Sequence, residues 1–173
     1  MNTMNDEFIE IGESYAKSPT PSKPEPEESP LVMYLVVRES LGMSIGKTAA
    51  QVAHAAQKLQ QRYQELEWKA ESYLPPPHDC SEESFLDIPE ELRDKIDIFS
   101  KWCNGSVRKV VLKADEKEWA KLKSDLDWAR TEYYLVVDAG FTELAPHTET
   151  VIGLWPIRKN DAPKVIKRLQ VLK

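Results

Sequence analysis

The chain is 173 residues long, 41% hydrophobic and 30% charged, which allows one compact domain with appendages and excludes two large ones. No apolar run approaches the roughly 20 residues of a membrane-crossing helix, and the stretch Met1 to Glu7 lacks the cationic start and apolar core of a signal peptide; a cytoplasmic protein without membrane association is expected. The net charge of −6 is unevenly spread: residues 1–30 hold seven acids and two bases, residues 65–106 eleven acids and four bases, and the rest seventeen bases and eleven acids. A basic body with two acidic attachments keeps an anionic partner such as RNA open; the plainer account is bases scattered over solvated helix faces. Cys80 and Cys103 form no CxxC pair, and His78-x-Cys80 by itself does not make a metal site, so no metal is expected.

In chain order, five prolines between Pro19 and Pro30 mark Ser18 to Pro30 as an extended linker, preceded by a short apolar cluster, Phe8-Ile9-Glu10-Ile11. Leu31 to Arg38 is a continuous apolar run ending in charge, which suits a strand buried on both faces. The loop Glu39 to Gly46 leads into a helix expected over about Lys47 to Gln64. Glu65 to Ser106 reads as an acidic, partly helical insertion, broken at Pro75-Pro76-Pro77 and helical again from about Ile88-Pro89 through Ile96 and Phe99 to Trp102. A second strand is expected over Val107 to Lys113. Asp115 then caps a helix on which Trp119, Leu122, Leu126 and Ala129 recur at helical spacing. Tyr133 to Val137 and Val151 to Trp155 complete the strands, and a basic helix, Ala162 to Leu169, closes the chain. This order predicts an α/β three-layer sandwich: a mixed four-stranded sheet with helices on both faces, formed by residues 31–173 behind a disordered acidic tail at 1–30.

Turned at about 100° per residue, the first helix gathers Lys47, Gln51, His54 and Lys58 into an arc of about 60°, with Ala49, Val52, Ala53, Ala56 and Leu59 opposite. The polar stripe is expected to point away from the core, and Lys47 to reinforce the anion-attracting start of the helix. Asp138 stands at the carboxyl end of its strand, where open α/β sheets place binding crevices, and meets Lys47 at one rim if the two strands are parallel. Asp138 before Ala139-Gly140 could equally begin a turn. Thr142, Thr148 and Thr150 add hydroxyls, so the materials for hydrolysis are present. Gly42-Met-Ser-Ile-Gly46-Lys47-Thr48 imitates a phosphate-binding loop with one residue too few between its glycines for the usual backbone nest.

Together, Tyr34 to Arg38, Gly42-x-x-x-Gly46-Lys47-x-Ala49-Ala50-Gln51-Val52-Ala53-His54-Ala55-Ala56, Lys109 to Lys113 and Asp138-Ala-Gly-x-Thr142-x-x-x-Pro146-x-Thr148-x-Thr150-Val-x-Gly153 resemble the peptidyl-tRNA hydrolase 2 family. The resemblance covers about residues 32–63 and 107–172. It implies the same α/β sandwich, often as a homodimer, and an enzyme that cleaves the ester between a peptide and the terminal ribose of tRNA without cofactor, metal or nucleotide. The family's active-site residues fall here on Lys47, Asp138, Thr142 and Thr150, with Gln51 and His54 beside them. On this reading Asp138 orients a water and accepts its proton, Lys47 stabilises the oxyanion or the adjacent phosphate, and the threonines bond the substrate or close the loop. The reverse assignment, with a neutral Lys47 as the base, stays open and requires a strong depression of the lysine's proton affinity. Lys58, Arg62, Arg158, Lys159, Lys164, Lys167 and Arg168 are candidates for gripping tRNA phosphates. The chain departs from the family at Met43 and Ile45, where bases are frequent, at Trp155-Pro156, where Gly-Pro is usual, and in its long acidic connection. A non-catalytic adaptor, binding RNA or a protein through the tail or the insertion, is the alternative.

Overall fold

The structure, a computed structural model, describes residues 29–73 and 88–173. The tail before Ser29, the triple proline and His78-x-Cys80 lie outside the described residues. Strand β1 (Leu31–Arg38) runs through a short 3-10 turn (Glu39–Leu41) into helix α1 (Ile45–Glu71). Helix α2 (Glu90–Asn104), strand β2 (Lys109–Ala114), helix α3 (Glu116–Trp128) and strands β3 (Tyr133–Asp138) and β4 (Thr148–Leu154) follow. The chain ends in β5 (Ile157–Arg158), the short helix α4 (Lys164–Arg168) and β6 (Gln170–Val171).

The sheet is mixed, as expected, but six-stranded rather than four-stranded, in the order β3-β4-β1-β2-β6 with β5 pairing with β1. The two extra strands are two-residue pieces, too short to carry an alternating pattern. β1 and β2 are parallel, whereas β4 is antiparallel to both β1 and β3. β1 and β3 therefore run the same way, with their carboxyl ends at one rim.

β1 is apolar from Leu31 to Val37, and both of its faces are covered. Val32, Tyr34 and Val36 pack with residues of α3 and α4, while Met33, Leu35 and Val37 pack with residues of α1 and α2. α1 lies close over β4, because a Cβ on Gly153 would stand only 3.0 Å from Leu59 Cδ1 and 3.2 Å from Ala55 Cβ. α3 starts as expected at Asp115. The Asp115 carboxylate accepts from the Glu118 amide at 2.8 Å, and the Glu118 side chain accepts from the Asp115 amide at 2.9 Å, which completes a capping box.

Several boundaries differ from expectation for identifiable reasons. α1 continues seven residues past Gln64, to Glu71, because Leu66 extends the buried row of Ala55, Leu59 and Tyr63. The start of the supposed insertion is thus the end of α1. β2 begins at Lys109 rather than Val107, since Val107 sits at φ 47°, a left-handed conformation unsuited to a β-branched residue, where the chain turns back off α2. Ala129 lies past the end of α3 and is exposed. β4 starts at Thr148 rather than Val151, and the closing helix is a single short stretch behind Pro163.

α2 is built into the core. Phe99 is fully buried, stacks on Tyr63 of α1 at 4.5 Å, and lies 4.5 Å from the Trp155 ring and 5.3 Å from that of Trp102. The Trp155 indole N–H donates to the Lys95 carbonyl at 3.1 Å. Trp155, directly after β4, thereby ties α2 to the sheet.

Candidate active site

The rim shared by β1 and β3 brings Lys47 and Asp138 together. Val136 and Asp138 lie on the same face of β3, the face covered by α1, and Lys47 stands in the first turn of that helix. Lys47 Nζ forms an ion pair with Asp138 Oδ2, with 13% and 4% of the two side chains exposed. Gln51 Nε2 donates to the same Oδ2 at 2.6 Å, and the Gly140 amide donates to Oδ1 at 2.8 Å. The Lys47 ammonium, followed by the Gly140 amide, holds Asp138 below the usual carboxylate range, although burial opposes the shift. Its bond to Gly140 makes Asp138 a turn-former and the partner of Lys47 at once.

The network extends to both sides. Lys47 Nζ donates to Thr142 Oγ1 at 3.1 Å. On the inner side, Thr150 is fully buried; its hydroxyl lies 3.0 Å from Gln51 Oε1 and 3.2 Å from the Val136 carbonyl. One hydroxyl proton serves these two acceptors, and its approach to Oε1 turns the Gln51 amide so that Nε2 faces Asp138. Thr142 is exposed at the groove, whereas Thr150 supports it from behind. Thr148, at the start of β4, donates to the Ala145 carbonyl at 2.6 Å and closes the connecting loop.

The polar stripe of α1 faces this groove instead of open solvent. Lys47, Ala50, Gln51, His54 and Lys58 form one wall and Tyr134, Val136, Val137, Asp138, Phe141 and Thr142 the other, around about 570 Å³. The helix is rotated from the expected orientation. Gln51, Ala55, Leu59 and Tyr63 are its buried row, while Ala49 and Ala53 are exposed, because the close approach at Gly153 selects Ala55 as the contact. A smaller depression of about 220 Å³ continues from Lys58 and Tyr134 to Arg62, which pairs with Glu65 at 3.2 Å and Glu132 at 3.8 Å.

The other basic candidates lie elsewhere. Lys159 and Lys167 border a depression over Tyr34 and Ile166, residues of the core under α3 and α4. Arg158 donates to the Ser29 carbonyl at 3.3 Å, and Lys164 and Arg168 are exposed on α4. The seven cations therefore do not form one surface; only Lys58 and Arg62 adjoin the groove.

Sequence reasoning missed Glu143, which belongs to no motif of its own. Its carboxylate accepts from the Ser44 amide at 2.9 Å and from the Ser44 hydroxyl, and these two donors hold it below the usual carboxylate range. Ser44 in turn caps α1 by accepting from the Lys47 amide at 3.2 Å. The start of α1, where a phosphate-binding loop would hold its anion, is thus occupied by a carboxylate of the chain itself. Among the described residues, no group of three or more His, Cys, Asp or Glu side chains is placed to hold a metal ion, and no helix is long and apolar enough to cross a membrane.

Comparison with known proteins places the chain in a family. The family described as Peptidyl-tRNA hydrolase PTH2 matches residues 31–172. The "Peptidyl-tRNA hydrolase" of Methanopyrus kandleri is 33% identical over 140 residues, 80% of this chain and 96% of that protein. That of Thermoplasma acidophilum is 28% identical over 141 residues, 81% of this chain and 97% of that protein. The "Probable peptidyl-tRNA hydrolase 2" of Dictyostelium discoideum is 27% identical over 138 residues, 79% of this chain and 52% of that protein. A buried carboxylate and a lysine meeting at the rim of this sheet are thus found on a chain that belongs to the peptidyl-tRNA hydrolase PTH2 family.

Proposed function

We propose that this chain hydrolyses the ester between a peptide and the terminal ribose of tRNA at the Lys47–Asp138 pair. The observation that carries the reading is that pair itself: an ammonium and a carboxylate in contact, mostly buried, at the end of an open groove. An ionised carboxylate offers about four acceptor positions, and Lys47, Gln51 and Gly140 take three. The fourth is left for a water molecule. Asp138 fixes that water by its charge and receives a proton as the water oxygen attacks the ester carbonyl. Lys47 faces the growing negative charge on the carbonyl oxygen, then gives a proton to the departing ribose oxygen. The proton on Asp138 returns to Lys47 across their contact, and the released peptide acid ionises. Thr142, which accepts from Lys47, directs the ammonium toward the groove.

A low proton affinity at Asp138 suits this cycle, since the carboxylate stays charged and passes its proton on. The same reading gives Lys58 and Arg62 tRNA phosphates to bind, places the protein in the cytoplasm and, as the family resemblance implies, allows assembly as a homodimer. The adaptor alternative has no observation in its favour; the acidic tail, the other candidate for docking a protein, lies outside the described residues. Single-turnover release of an N-acetylated aminoacyl group from tRNA tests the proposal. Asp138→Asn is expected to slow it about 10²–10⁴-fold and Lys47→Ala about 10²–10³-fold. Rates within a factor of about three of the parent protein in both variants would remove the pair from the mechanism.

A further inference from the structure

We propose that Phe141 is a stacking platform for the base of the 3′-terminal tRNA nucleotide, setting the ribose ester over the Lys47–Asp138 pair; this rests on the peptidyl-tRNA reading of the site. Phe141 is 90% exposed on the groove wall, directly before Thr142, the residue that Lys47 contacts. Unlike the equally exposed Ile45 and Trp128, this ring lines the groove that holds Lys47 and Asp138, where a bound substrate can reach it. Its loop is also tied down. The His147 amide donates to the Asp138 carbonyl at 2.8 Å and closes the loop at its base. Gly140, at φ 81°, packs so tightly on Pro146 that an added Cβ would lie 2.5 Å from the Pro146 nitrogen. Beyond the ring, Glu143 is bound to the amide and hydroxyl of Ser44. The ring is thus presented from a fixed frame, which reduces the entropy lost when a partner docks on it.

A base fits this position better than a peptide side chain. The residue attached to the ester differs from one substrate to the next, whereas the terminal nucleotide is the same in every tRNA, and a rigid flat surface suits an invariant flat partner. One sugar ring separates that base from the reacting ester, just as one peptide unit separates Phe141 from Thr142. Lys58 on the opposite wall supplies a cation for the backbone leading to the base.

The test uses the full-length protein with N-acetylated aminoacyl-tRNA. Phe141→Ala is expected to raise KM about tenfold or more with kcat within about twofold, Phe141→Trp to restore KM, and Phe141→Leu not to. Hydrolysis is not needed for the second readout, which uses uncharged tRNA carrying 2-aminopurine in place of the terminal adenine. The parent protein should quench its emission on binding, and Phe141→Leu should not. Equal KM for Leu and Phe, or equal quenching by both, would overturn the assignment in favour of a general apolar contact. If the parent protein quenches the probe but leaves the blocked ester intact, stacking stands and the hydrolase reading falls.

Discussion

Asp138 gains its donors only when folded, and this sets the direction of its pH dependence. Its carboxyl is held below the unfolded value, first by Lys47 and then by the Gly140 amide, so its contribution to stability is complete above about pH 4. That contribution disappears as pH falls further, through the lower folded value. The acid limb of the single-turnover rate is therefore expected below about pH 4, with no inflection from this carboxylate between pH 5 and 7. A loss of rate centred near pH 6 and abolished in Asp138→Asn would contradict the described contacts. Behind Asp138, Thr150→Val keeps the side-chain shape but leaves Gln51 Oε1 without its buried donor. Urea unfolding should report a loss of about 1–3 kcal/mol, and Thr150→Ser should recover most of it. That Lys47 and Asp138 meet was legible from a helix start and a strand end expected at one rim of the sheet. The different situations of Thr142 and Thr150 were not, because which hydroxyl is exposed depends on the partners packed against it.

At the scale of elements, glycine and tryptophan set the distances. Gly153 lets α1 approach the sheet until Ala55 and Leu59 touch the strand, and that approach carries Lys47 and Gln51 to Asp138. Gly153→Ala adds a methyl group where Leu59, Ala55 and Leu35 already fill the space, and should lower stability by about 1–3 kcal/mol in denaturant titration. Because the displaced helix bears Lys47, kcat should fall as well, whereas a change in stability without any change in rate would separate packing from the site. The Asp115 cap of α3 was readable because a cap acts within one turn, and the structure adds the reciprocal bond from Glu118. The rotation of α1 was not. Its small residues surround much of the helix, so periodicity alone leaves two faces nearly equivalent, and contact with Gly153 distinguishes them.

Over the whole molecule, the division of the cations matters more than their number. Lys58 and Arg62 share a face with the groove, while Lys159 and Lys167 border the depression on the side of α3 and α4. Arg62 is partly neutralised by Glu65 and Glu132, so the proposed phosphate contact in the groove falls chiefly to Lys58. Each phosphate contact contributes close to one unit to the slope of log affinity against log salt. Lys58→Ala should thus lower that slope for tRNA by about one, and Lys167→Ala should leave it unchanged. Fluorescence titration across a range of salt concentrations compares the two, and equal slopes for both variants would contradict this division.

The sequence by itself determined the α/β class, the strand buried on both faces, the capped α3, a lysine at a helix start and an aspartate at a strand end, because these depend on local periodicity, capping chemistry and short motifs. Tertiary structure decided the parallel relation of β1 and β3, the face of α1 that Gly153 admits, Glu143 at the helix start and the anchoring of α2 by Trp155. Those features join residues roughly 60 to 100 positions apart, as between Lys95 and Trp155 or Ser44 and Glu143. Their pairing follows from the packing of complementary surfaces, which no local window of the chain contains.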